Sequence, residues 1–288
     1  MSFLFFLFIF PCGVKAVAQG SAKVNDLEAL AARQRTAVAA NPDSAELHGE
    51  LGRTLLKQGK YEEATGELGV AVNQLTDSRI YNMALVEALL GWEHWGVAVD
   101  FLNAVRDRFQ QFAEFHYYLG LANFKLNKTP DAVPEFEEAL RINPSLDLAK
   151  FGLAACRAAA GDLQGAATLS RQLVTEHPRN ARYWLALAQV LDSMGDGERP
   201  EALRASRRAL ALRPGDPVME LKTAVILAKL TRYAAARPLL EHVVKVDPKN
   251  SQARVALANA YTHLGQRELA KKQSEVVVEL EKAKTTPQ

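Results

Sequence analysis

Pro42, Pro144 and Pro178 are separated by multiples of 34 residues, and Pro214 and Pro248 are again 34 apart. A spacing that recurs at this length marks one supersecondary unit stacked on copies of itself, because a unit so short buries its apolar face only against its neighbours. The phase slips once, by two residues, between Pro178 and Pro214. With units starting at Ala45, Arg79, Ala113, Asp147, Ala181, Pro217 and Ser251, and allowing for the slip, the twentieth position is Ala64, Ala98, Ala132, Ala166, Ala202, Ala236 and Ala270. The seventh is Leu51, Leu85, Leu119, Leu153, Leu187, Thr223 and Leu257, and the eighth is Gly52, Val86, Gly120, Ala154, Ala188, Ala224 and Ala258.

Two packed helices per unit account for these positions. Alanine in the second helix opposite glycine or alanine in the first strips bulk from the crossing, so the backbones approach and the leucine fills the space beside them. Gly59, Gly161, Gly195 and Gly265 fall where the first helix must end, Pro130 and Pro200 at starts of second helices, and the prolines at unit ends where the chain is redirected. The pattern predicts an all-α fold with fourteen repeat helices over 45–284 and no strand. The two extra residues of the fifth unit, in GDGERP at 195–200, are expected to enlarge only its internal turn, and Pro134 and Pro238 to cost a hydrogen bond early in their helices. The second unit departs furthest: Val86 and Val105 replace small residues, Glu93 replaces the turn glycine and Gln110 the final proline.

NPDSAELHGELGRTLLKQGKYEEA and NARYWLALAQVLDSMGD resemble the tetratricopeptide repeat family. Trp184, Leu187, Ala188, Ala202, Ala209 and Pro214 match its pattern in the fifth unit, and Leu119, Gly120, Ala132, Phe136, Ala139 and Pro144 in the third. The resemblance implies a right-handed superhelical solenoid of helix-turn-helix repeats at 45–78, 79–112, 113–146, 147–180, 181–216, 217–250 and 251–284. Residues 24–41, VNDLEALAARQRTAVAAN, form an amphipathic segment suited to capping the first repeat, and 285–288 are a short tail.

The first residues differ in kind. MSFLFFLFIF is too short an apolar run to span a bilayer, and Ala16, Val17 and Ala18 follow in an A-x-A pattern. Residues 1–18 are therefore expected to be a signal peptide, and the protein to be exported, periplasmic or extracellular, without stable membrane insertion afterwards. No Lys or Arg precedes the run, which departs from the usual signal pattern. Ile9, Phe10 and Pro11 are not the small residues that acylation of Cys12 would require.

Chemistry is sparse. Thirty-five Lys plus Arg against thirty-three Asp plus Glu leave a formal charge of +2, too little for a nucleic-acid partner. Cys12 and Cys156 are the two cysteines, and Cys156 in FGLAACRAAA reads as a small core hydrophobe. No metalloprotease, phosphate-loop, nucleophile-elbow or dinucleotide-binding motif occurs. His48 and His116, both at the fourth repeat position, read as structural rings rather than metal ligands. Glu135, Glu137 and Glu138 read as a solvated, ion-paired face. No enzyme, metal or cofactor is expected, and about 240 residues are repeat.

The resemblance implies a concave surface lined by first helices at positions 2, 5, 9, 12 and 13. In the second to fourth repeats these include Ile80, Met83, Leu90, Tyr117, Leu121, Phe124, Leu148 and Phe151, whereas the fifth offers Arg182, Gln189, Asp192 and Ser193. Aromatic and Met side chains are enriched at interface cores, so Met83, Tyr117, Leu121, Phe124 and Phe151 are expected to bind an apolar or amphipathic segment of a partner protein or peptide. Some of these chains lie next to the helix-packing face, so core and groove are both open for any single one. The carboxylate clamp of some relatives needs Lys at position 5 and Asn at position 9, and here Gly49 and Arg53, Met83 and Glu87, Tyr117 and Leu121 stand instead. The expected role is a scaffold or adaptor; a substrate-presenting subunit of an enzyme complex and a spacer with no groove ligand are the alternatives.

Overall fold

The structure is a computed structural model that describes residues 20–285. The segment 1–18 therefore lies outside the described residues, as do 286–288 of the tail. Sixteen helices and no strand are found among the described residues: α1 Gly20–Ala40, α2 Ala45–Lys57, α3 Tyr61–Gln74, α4 Arg79–Gly91, α5 Trp95–Ala104, α6 Arg106–Phe109, α7 Ala113–Lys125, α8 Thr129–Ile142, α9 Asp147–Ala159, α10 Leu163–Glu176, α11 Ala181–Met194, α12 Arg199–Leu212, α13 Pro217–Lys229, α14 Tyr233–Val246, α15 Ser251–His263 and α16 Arg267–Thr285. The chain divides into two compact units, residues 1–160 and 161–288.

In the first unit, α1 starts earlier than the amphipathic pattern suggests and rests on the first helix pair. Ala31 is buried, Gln58 donates from Nε2 to the Leu27 carbonyl at 2.8 Å, and Arg35 pairs with Glu63 at 2.6 Å. The pairs α2/α3 and α7/α8 cross where Gly52 and Gly120 remove bulk. A Cβ on Gly52 would sit 2.6 Å from Leu68 Cγ, and one on Gly120 would sit 3.0 Å from the Phe136 ring. Phe136 is fully buried and its far edge fills a second notch, since a Cβ on Gly152 of α9 would stand 2.5 Å from the same ring.

The second repeat breaks the expectation of fourteen repeat helices. Its second helix ends at Ala104, Val105 adopts φ −106° and ψ 7°, and the separate turn Arg106–Phe109 follows. The redirected turn carries Phe109 into the core, where it is 3% exposed. The chain then reaches Phe112, whose ring lies 4.4 Å from the Arg79 guanidinium. No proline stops the helix here, and burial of Phe109 substitutes for it.

In the second unit α11/α12, α13/α14 and α15/α16 form the same kind of pair. The extra residues of the fifth repeat are shared: one lengthens α11 to 14 residues, and the other widens the turn to 195–198. Pro134 and Pro238 each occupy the sixth residue of a continuous helix, α8 and α14. The alanines at the twentieth position are fully buried in six repeats, and Ala270 is 8% exposed.

Local chemistry sets the helix ends in both units. Ser44, Ser78, Asn180, Asp216 and Asn250 each accept a backbone N–H of the first turn that follows, satisfying donors a helix leaves open. The fifteenth position of all seven repeats has positive φ. Glycine supplies it at Gly59, Gly161, Gly195 and Gly265, while Glu93, Asn127 and Thr231 adopt φ of 61°, 58° and 58° against the preference of their side chains.

Candidate functional site

A donor at the fourth position of a first helix reaches back to the carbonyl six residues earlier. His48 Nε2 lies 2.9 Å from the Pro42 oxygen and His116 Nε2 2.7 Å from that of Gln110. Asn82, Trp184 and Arg254 donate to the carbonyls of Thr76, Pro178 and Pro248. The other edge of the same side chain often meets an acceptor on the second helix: His48 Nδ1 with Glu67 at 2.6 Å, His116 Nδ1 with Glu135 at 2.6 Å, and Arg254 with Gln273 at 2.6 Å. These latches join repeat ends to helix pairs and give the two histidines structural work. Burial pulls the His48 pKa down, but the Pro42 carbonyl and the Glu67 carboxylate outweigh it and leave the value raised. Glu135 is not on a solvated face as expected: its side chain is 16% exposed and it also accepts from Arg106 at 3.1 Å. Glu138 does pair on the surface, with Arg141. Cys156 is fully buried, and burial pushes its thiol up to about 12, so it is no nucleophile at neutral pH.

The first-helix face of the first unit holds an open recess of about 290 Å³, lined by Arg53, Leu56, Lys57, Ile80, Met83, Ala84, Glu87 and Tyr118. Arg53, Leu56 and Lys57 come from α2, Ile80, Met83, Ala84 and Glu87 from α4, and Tyr118 from α7. Six of the eight stand at positions 2, 5, 9, 12 or 13 of their repeats. Ile80 is 57% exposed. Glu87 is exposed yet stands in a concave setting, where loss of hydration raises its pKa although the Tyr118 hydroxyl donates to it. The same pair drives the Tyr118 pKa upward, burial first and the Glu87 charge second. Arg53 is held by Glu50 at 3.0 Å, and Glu50 also accepts from the Tyr81 hydroxyl at 3.2 Å.

Of the five apolar residues expected to bind a partner, Met83 lines this recess. Tyr117, Leu121 and Phe151 are at most 6% exposed in the chain alone, and Phe124 is half-buried. Tyr117 packs with its ring 6.2 Å from that of Phe136, while its neighbour Tyr118 turns to the recess. One residue of helix is a rotation of about 100°, enough to exchange core for groove. Position 6 lies outside the expected set, so Tyr118 carried no signal in the repeat pattern.

The second unit has a polar counterpart. Asp192 of α11 is 14% exposed and bridges Arg199 at 3.4 Å and Lys229 at 2.5 Å. Burial and then the neighbouring Lys229 lower the Lys222 pKa, against the pull of Asp192. Arg182 is lowered by burial and then by Arg213.

No helix among the described residues is long and apolar enough to cross a membrane. The chain is similar to a crystal structure of a tetratricopeptide repeat protein from Parabacteroides merdae ATCC 43184, at 17% identity and TM-score 0.66, covering 83% of this chain and 94% of that one. It is also similar to yeast Tom70, at 16% identity and TM-score 0.62, covering 89% and 55%. At such identities these likenesses concern the fold. Among curated proteins it is 32% identical over 123 residues to cellulose synthase operon protein C of Pseudomonas fluorescens (strain SBW25), which is 42% of this chain and 10% of that protein. It is 33% identical over 144 residues to cellulose synthase 2 operon protein C of Komagataeibacter xylinus, which is 49% of this chain and 11% of that protein. The chain thus spans about a tenth of the length of these curated relatives. Family models described as tetratricopeptide repeat match residues 35–65, 83–147, and 123–190 with 227–280. With helix pairs, buried crossing alanines and these matches together, the chain belongs to the tetratricopeptide repeat family, whose members mediate protein–protein interaction.

Proposed function

We propose that the protein is a non-enzymatic scaffold or adaptor that holds an apolar or amphipathic segment of a partner protein on the first-helix face of its first unit. The observation that carries this reading is the recess itself. It gathers the exposed Ile80, the nearly covered Met83 beneath it, and charged groups on either side, at positions where side chains of successive repeats converge. The contact centres on Ile80 and extends toward Phe124, with Met83, Tyr117, Leu121 and Phe151, each at most 7% exposed, as the apolar layer beneath it. Two relatives named as proteins of cellulose synthase operons support a role as one member of a multiprotein assembly. Action in the cell envelope or outside the cell rests on the apolar run at 1–18 and its A-x-A ending.

The reading is tested with Ile80→Asp, which places a charge in the recess while sparing the core, because Ile80 is already exposed. Capture from the native compartment with the wild-type protein should retain a partner that the variant loses by at least about tenfold, with helical content unchanged. Equal capture by both proteins contradicts the proposed face.

A further inference from the structure

After its first residue, α13 reaches water only through Val218, Lys222, Val225, Ala228 and Lys229. Steps of three and four residues put these side chains on one face of the helix, where valine and lysine alternate along the axis. Val218 is 38% exposed, Lys222 and Val225 are half-buried, and Lys229 is exposed. The carboxylates beside this face are already committed within the chain. Asp192 accepts from Arg199 on one oxygen and from Lys229 on the other. Asp216 caps α13 with one oxygen, which accepts from the Val218 and Met219 N–H groups, and its second oxygen lies 3.8 Å from Arg213. Lys222 and the half-buried Arg182 are thus left without a carboxylate in ion-pair distance among the described residues. Burial and the like charge of Lys229 both act against the Lys222 ammonium. The excess extends beyond the helix: residues 161–288 carry twenty Lys and Arg against fourteen Asp and Glu, a field that draws anions toward the second unit.

We infer that this face of α13 is a second docking surface, for an acidic amphipathic segment of a partner protein, with a carboxylate on Lys222 and apolar side chains on Val218 and Val225. It goes beyond the segment proposed for the first unit and does not depend on it. An arriving carboxylate forms a charge-assisted hydrogen bond with an ammonium that the chain leaves uncompensated. A basic segment would meet Lys222 and Lys229 as like charges, and the one acid between them, Asp192, has both oxygens occupied. The valines select a protein segment over a nucleic-acid backbone, which offers charge without apolar side chains at helical spacing.

The test is selection of peptides from a displayed random library on the full chain, followed by affinity measurement on Lys222→Gln, Val218→Asp, Ile80→Asp and Lys245→Gln. Lys245 is exposed on the second helix α14, so its variant removes the same charge away from the face. The expected peptides carry Asp or Glu at one fixed position beside apolar residues. Their affinity falls at least about tenfold on Lys222→Gln, falls likewise on Val218→Asp, and stays within about twofold on Ile80→Asp and Lys245→Gln, with helical content unchanged throughout. A lysine placed at the acidic position of such a peptide should restore binding to Lys222→Glu. Selected peptides without a recurrent acid, or acidic peptides that bind Lys222→Gln as tightly as wild type, overturn the inference. Equal losses on Lys222→Gln and Lys245→Gln reduce the effect to net charge and overturn it too. Acidic peptides lost on Ile80→Asp instead lie on the first unit, which overturns this surface and leaves the reading of that unit standing. Vesicles of phosphatidylglycerol that bind the full chain through Lys222, with no such peptide selected, assign the face to a lipid surface and contradict the protein segment.

Discussion

His48 shows how little of a side chain's work its residue type announces. Its ring faces a carbonyl oxygen on one edge and a carboxylate on the other, so both nitrogens donate when the ring is protonated, and the folded-state pKa is raised. A group whose folded pKa exceeds the unfolded value of about 6.5 adds stability that is fully present below that value and fades as pH rises through the folded one. The stability gap between wild type and His48→Gln should therefore be largest in mildly acidic buffer and shrink toward alkaline pH. Paired denaturation curves measure it, and a gap that widens with rising pH contradicts the latch. The position was legible as structural from the repeat register. Its partners were not, because one is a backbone carbonyl and the other, Glu67, lies 19 residues away on the opposite helix.

At the scale of helices, the alanines and glycines of the crossings were readable because small residues recur only where backbones must come close. Phe136 shows the energetic reason, its ring wedged between Gly120 of its own repeat and Gly152 of the next. Gly152→Ala raises helix propensity by about 1 kcal/mol, yet sets a methyl 2.5 Å from the fully buried Phe136 ring, which already abuts Gly120 on its other side. Overpacking of this kind costs about 1–3 kcal/mol, so a net loss of stability is expected, seen as a lower midpoint of thermal unfolding. An unchanged or higher midpoint would show that the ring moves aside freely. The break at Val105 was less readable. Substitutions at Val105 and Gln110 marked the second repeat as irregular, but the redirected turn depends on Phe109 finding a buried place, which no periodic position encodes. The turns behaved differently again: the positive φ at Glu93, Asn127 and Thr231 is imposed by the packing of the flanking helices, since their sequence offers no glycine.

For the molecule as a whole, the repeat period led directly to helix pairs, whereas the recess proposed as the binding surface was only half readable. Ile80, Met83 and Glu87 stand at inner-face positions that the register names. Tyr117, expected on the open face, lies 6% exposed, and its unremarked neighbour Tyr118 lines the recess instead, because a face boundary on a helix is narrower than one residue's rotation. The large aromatic side chains that sequence favours as anchors are also those that packing claims first, so Tyr117 and Phe151 lie almost covered while the smaller, amphipathic recess remains open. The central claim, that a partner segment lies on this face, is tested most directly by photo-crosslinking from single positions in the native setting. Probes at Ile80 and Lys57, on the recess, should trap one and the same partner, and probes at Val97 and Val278, exposed but outside it, should not. Trapping of that partner with equal yield from all four positions, or from Val97 and Val278 alone, would contradict it.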